Sequence, residues 1–69
     1  GRVPYGYRLS ADGVHLAEDD GEQEVLACAR RLRVAGLSLL AVSRELSARG
    51  FKTRKGGEFA AVQVMRMVA

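Results

Sequence analysis

Between Lys52 and Arg66 the chain carries Lys52, Thr53, Arg54 and Lys55 in one run, then Gly56 and Gly57, then Val62, Gln63 and Arg66 at helical spacing. Ammonium and guanidinium groups on a short loop neutralise phosphates without reading sequence. A glutamine amide can bond the N7 and N6 edge of adenine, an arginine can bond O6 and N7 of guanine, and a valine can lie on a thymine methyl. Cationic loop, tight turn and short amphipathic helix, in that order, predict a surface for duplex nucleic acid. Arg2 and Tyr5 of the opening GRVPYGY segment are the remaining candidates for contact with a nucleic-acid backbone. The competing reading is structural: Gln63 and Arg66 also suit a solvated helix face, and tyrosines commonly fill the edges of small cores.

No residue pattern suggests a catalytic or metal centre, and no cofactor is expected. One cysteine and one histidine cannot complete a zinc site. Cys28 has no partner for an internal disulfide and lies between apolar neighbours in a helical stretch, which predicts a small core residue. His15 reads as a surface or edge histidine.

The elements that must position these groups are short and well punctuated. Pro4 disfavours helix at Val3, and Gly6 permits unusual backbone angles, so the chain opens as an extended arm or turn. YRL and VHL flank an Asp12-Gly13 turn, which predicts a small β-hairpin over Tyr7 to Leu16 with His15 on its second strand. A first helix over residues 19–35 follows, with Asp19 as N-cap and Glu22 three residues on as its capping-box partner. Val25, Cys28, Ala29 and Leu32 form its apolar stripe, with Leu26 beside them, and Arg30, Arg31 and Arg33 suit its C-terminal dipole. Gly36 as C′ and Leu37 as C″ against Leu32 predict a Schellman stop.

A second helix over 38–49 repeats the design. Ser38 caps it, Leu39, Val42 and Leu46 form the buried stripe, and Gly50 ends it with Phe51 returning onto Leu46. Two helices joined this closely form the first half of a helix-turn-helix. Residues 51–59 are expected to form a wing-like basic loop, FKTR and EF being short extended arms around Lys55-Gly56-Gly57. The third helix, 60–68, should bury Val64, Met67 and Val68 behind Phe59 and face Val62, Gln63 and Arg66 outward. The expected fold is thus mainly α: a three-helix, helix-turn-helix-like bundle with an N-terminal β-hairpin.

Charge supports the direction of this reading. Residues 1–28 hold two basic against six acidic side chains, a net of −4, and residues 29–69 hold nine against two, a net of +7, within an overall +3. Such polarity turns one face toward a polyanion. With 69 residues the chain is one domain with a thin core. No apolar run approaches the roughly 18 residues of a membrane helix, and no signal peptide is visible, so a cytoplasmic, nucleoid-associated protein without a membrane partner is expected. The start at Gly1 without methionine suggests a piece of a longer chain or a tag remnant.

The residues Pro4 to Tyr7, Glu22, Gly36 with Ser38, Val42, Leu46, Gly50 and Phe51, Thr53 and Arg54, Gly56-Gly57, Phe59, Val64 and Met67-Val68 together resemble the recombinase domain of large serine recombinases. The resemblance spans nearly the whole chain. It implies a DNA-binding domain that follows a catalytic resolvase domain and grips part of an attachment half-site, with its last helix in the major groove. This chain has Ser47 where the family commonly has Asn, Phe59 where it has Trp, and Ala60-Ala61 where it has Ser or Thr followed by Pro. Loss of that hydroxyl cap costs about 1 kcal/mol of helix stability. Tyr7-Arg8-Leu9-Ser10 is similar to the Y-x-R-x-S opening of the family's catalytic domain, but Tyr and Arg adjoin here. Attack on a phosphodiester also needs several positioned arginines around the serine, so Ser10 reads as a turn residue. The expectation is a monomeric duplex-binding domain without catalytic residues, from a parent that acts as a dimer or tetramer. The alternatives are a stand-alone helix-turn-helix regulator and a protein-docking module.

Overall fold

The computed structural model describes residues 3–69. Two antiparallel strands, β1 (Tyr7–Leu9) and β2 (Leu16–Glu18), precede three helices, α1 (Asp20–Val34), α2 (Leu39–Ala48) and α3 (Ala61–Val68). Each helix packs on the other two. Val25, Leu26, Cys28 and Ala29 of α1, Val42 and Leu46 of α2, Phe59, and Val64 and Met67 of α3 form one buried cluster, flanked by Tyr5, Leu32, Leu37, Leu39, Phe51 and Val68. Leu46, Val42 and Val64 are fully buried, each contributing about 1.5–3 kcal/mol of transfer free energy.

Both helix stops follow from local chemistry. Gly36 takes φ +102, the Leu37 N–H donates to the Leu32 carbonyl at 3.2 Å, and the Gly36 N–H donates to Arg33 at 3.0 Å. The same pair of bonds recurs at the end of α2, from Phe51 to Leu46 and from Gly50 to Ser47, both 3.0 Å. These are the Schellman bonds that satisfy carbonyls left open in the last turn. At the starts, Asp19 accepts from the Glu22 N–H at 3.0 Å and Ser38 from the Ala41 N–H at 3.1 Å.

The hairpin differs from its expected register. Its second strand begins at Leu16, with pairs Tyr7↔Glu18, Arg8↔Ala17 and Leu9↔Leu16. The cause is Asp12, whose carboxylate accepts from the Val14 N–H at 2.9 Å, the His15 N–H at 3.2 Å and the Ser10 hydroxyl, and lies 2.7 Å from His15 Nδ1. A side chain that captures the backbone donors of Val14 and His15 removes them from the ladder and widens the loop. His15 is therefore a loop residue paired with Asp12, and Ser10 belongs to the same turn. These bonds hold the Asp12 carboxyl far below the usual carboxylate range, the Ser10 hydroxyl being the largest cause.

The basic loop has no assigned strand and is organised by one turn, closed by Gly56 N–H to the Thr53 carbonyl at 2.9 Å, Thr53 N–H to the Gly57 carbonyl at 2.9 Å and Gly57 N–H to Thr53 Oγ1 at 3.1 Å. Thr53 thus serves as the turn's anchor. The domain measures 39 × 22 × 19 Å, with a radius of gyration of 12.5 Å. A compact chain of this length would have about 11 Å. Among the described residues, no helix is long and apolar enough to cross a membrane.

Candidate nucleic-acid interface

The third helix presents the side chains that the sequence assigns to base contact. Val64 and Met67 face the core, while Val62, Gln63, Met65 and Arg66 are exposed. Ala60 offers no hydroxyl to cap this helix; Gln63 replaces it from the other side, its Oε1 accepting the Ala60 N–H at 2.7 Å. That bond satisfies a backbone donor and fixes the plane of the Gln63 amide. One Oε1 lone pair and both Nε2 hydrogens remain for a further partner.

One open groove collects much of the predicted surface. Tyr5 and Tyr7 line it from the arm, Thr53, Arg54 and Lys55 from the basic loop, and Gln63 and Arg66 from α3, around a volume of about 740 Å³. Leu26, Phe59 and Met67 add an apolar portion to its lining. Arg30 joins it from α1, a residue that the sequence assigns to dipole complementation and solvation. The signal was present in the sequence: Gln23, Leu26 and Arg30 lie three and four residues apart, so one side of α1 supplies all three. Among the described residues, four cationic side chains and no Asp or Glu side chain line this groove. Val62 and Lys52 are exposed but lie outside its lining, and Arg2 falls outside the described residues.

Arg54 has a different part from the one its position in a basic run suggests. Its Nε donates to Glu22 Oε2 and its Nη2 to Glu22 Oε1, both at 2.7 Å. Nη1 donates to the Val3 carbonyl at 2.9 Å, and Nη2 also reaches the carbonyls of Pro4 at 2.8 Å and Tyr7 at 2.9 Å. The guanidinium lies 5.5 Å from the Tyr5 ring centroid. With its Nε, one Nη1 hydrogen and Nη2 engaged in the protein, Arg54 is a clasp between the loop, α1 and the arm. The expected phosphate contact of Arg54 is thus set beside a structural task within the fold.

Glu22 is likewise redirected. Instead of closing a capping box on the Asp19 N–H, its carboxylate takes Arg54 and the Gly6 N–H, the latter at 2.8 Å. Asp19 gives its own N–H to the Gly6 carbonyl at 2.8 Å, and Gln23 Nε2 donates to that carbonyl at 2.9 Å. Gly6 can enter this node because it has no side chain: a Cβ there would lie 2.7 Å from Leu26 Cδ1 and 2.8 Å from Gln23 Nε2, at φ +98. The Arg54 hydrogen bonds are the largest cause holding the Glu22 carboxyl below its ordinary value. Tyr5 meets Phe59 edge-on with centroids 5.9 Å apart, and burial, reinforced by Glu22, pushes its phenol up to about 12.

Cys28 is buried, as its apolar neighbours predict, and its Sγ receives a hydrogen bond from Arg49 Nη1 at 3.2 Å. Among the described residues, no group of three or more metal-ligating side chains gathers. Comparison with protein-family models, with curated proteins and with solved structures finds no match to this chain.

Proposed function

We propose that the domain binds duplex DNA through the α3 face and its adjoining groove, as the half-site-gripping part of a site-specific serine recombinase. The observation that carries this reading is that Arg30, Lys55, Arg66, Gln63 and the clasped Arg54 line one groove with no Asp or Glu side chain among the described residues that line it. In this reading α3 is the recognition helix of a helix-turn-helix-like arrangement and the Thr53–Gly57 turn is its basic wing. Lys55, Arg30 and the exposed Lys52 neutralise phosphates, whereas Val62, Gln63 and Arg66 address base edges. The assignment to a recombinase rests on the sequence resemblance; a stand-alone regulator would use the same surface. The fragment's role is binding, and strand exchange would belong to a catalytic domain elsewhere in the parent.

The groove's apolar portion also suits a protein partner, so the test must separate the two. Binding of a labelled duplex is measured across a salt series. If about three phosphates are neutralised, log affinity falls linearly with log salt with a slope of roughly −3. Affinity that is flat with salt, or absent at low salt, would reject DNA in favour of protein docking.

A further inference from the structure

We infer that Arg54 is a positioning residue: by clasping the Val3–Tyr7 arm to α1 and the basic loop, it makes the arm's tyrosines a fixed wall of the groove. This deepens the DNA-binding reading and rests on it. Tyr5 and Tyr7 line the same groove as Gln63 and Arg66, yet no regular element holds Tyr5, and Tyr7 only begins a three-residue strand. Their position depends on the node around Gly6. Glu22 engages the arm's backbone N–H while Arg54 engages carbonyls on both sides of Gly6, and the two side chains pair with each other.

Glu22 is the half-buried member of the clasp, its side chain 16% exposed against 42% for Arg54. A guanidinium suits the task because its planar fork reaches several acceptors at once, whereas an ammonium is a point charge that cannot span them. The charge of Arg54 is therefore paired with Glu22, and its contribution to DNA is the arm it holds. Lys55, one residue on, keeps its charge for the ligand.

Three readouts on the 69-residue chain test this. The first needs no DNA: amide exchange at Tyr7 and Gly6, with α1 and α2 core amides as internal reference. Arg54→Ala should accelerate exchange at both arm amides by on the order of tenfold or more while leaving the core amides slow. Arg54→Lys, which retains the charge, should fail to restore protection and covers the case in which the alanine variant does not fold. Unchanged arm exchange in Arg54→Lys would overturn the clasp.

Phenol titration adds a sign test. With the arm still docked, losing the guanidinium would raise the Tyr5 pKa further, because Arg54 lowers it. Release of the arm predicts the opposite, a fall from about 12 toward the ordinary value of 10.0. The third readout is coupling in duplex binding. Tyr7→Ala should weaken binding by roughly fivefold or more in the native background and by less than about twofold in Arg54→Lys, the non-additivity expected of residues acting as one unit. Independent, multiplicative losses would overturn the positioning role. Should the native chain bind no duplex at all, the DNA reading and the arm's role in it fall together, while amide exchange still decides whether Arg54 holds the arm.

Discussion

Gly6→Ala is the most informative single perturbation of the scaffold, because two separable terms act at one position. Adding a Cβ at φ +98 forces a non-glycine residue into left-handed territory, at about 1–2 kcal/mol. The new carbon would also sit 2.7 Å from Leu26 Cδ1 and 2.8 Å from Gln23 Nε2. Both atoms end flexible side chains, but Leu26 is packed in the core and Gln23 is bonded to the Gly6 carbonyl, so neither moves freely. Overpacking adds about 1–2 kcal/mol. The sum, roughly 2–4 kcal/mol, is a large part of the roughly 3–10 kcal/mol available to a chain of this size. Gly36→Ala is the control: φ is +102 and no atom lies within 4 Å, so only the backbone term applies. Urea unfolding followed by circular dichroism should place the Gly6→Ala midpoint below that of Gly36→Ala by about 1–2 M, given an m-value near 1 kcal/mol/M. Equal midpoints would show that the arm is not seated against α1, and the node built on Gly6 would have to be abandoned.

Three further outcomes follow from the site. Gln63→Ala should lower stability by about 1 kcal/mol through loss of the α3 cap, seen as a fall of about 4–8 °C in Tm, and should also relax sequence preference in a duplex selection assay. If selectivity falls while Tm stays put, the Ala60 bond is dispensable. Because the folded-state pKa of Glu22 is depressed, its stabilisation is complete above the ordinary carboxylate value of about 4.3 and is lost as pH falls through the folded value. Urea midpoints should therefore drop for the native chain below about pH 5, and Glu22→Gln should be weaker at pH 7 with a shallower acid slope; parallel slopes would deny Glu22 a share in acid stability. Arg30→Ala should weaken all duplexes about equally and reduce the salt slope by about 1, whereas Arg31→Ala, outside the groove, should do neither. Equal effects from the two would remove Arg30 from the interface.

The helices were legible because their ends are written in adjacent residues. Asp19 and Ser38 supply side-chain acceptors three positions ahead of the donors they cap, and Gly36-Leu37 and Gly50-Phe51 supply a left-handed residue followed by an apolar one. The buried stripe of α1 and the outward face of α3 follow from the helical period, which needs no knowledge of the rest of the chain. What escaped is long-range or competitive. Glu22 fits a local capping box, yet a cation 32 positions away and the arm's amide claim its carboxylate. Arg54 looks like the other cations of its run, and its partners at separations of 47 to 51 residues leave no periodic trace. Asp12 shifted the second strand because a side chain can outcompete a two-residue turn for backbone donors. Pro4, Gly6, Tyr7, Glu22 and Arg54, which lie far apart in the sequence, meet in this one node.

The separation between Val3 and Arg54 has a bearing on how the chain reaches this state. Contacts between α1 and α2 close over a short connection, whereas the bond from Arg54 to the Val3 carbonyl encircles 51 positions of the sequence. Ring closure on that scale costs more entropy than local turns do, and the cost is offset only once helices have already drawn the two ends near. The arm from Val3 to Tyr7 thus rests on bonds whose closure costs more chain entropy than local turns do, and amide exchange at Gly6 and Tyr7 reads whether it opens separately from the helices.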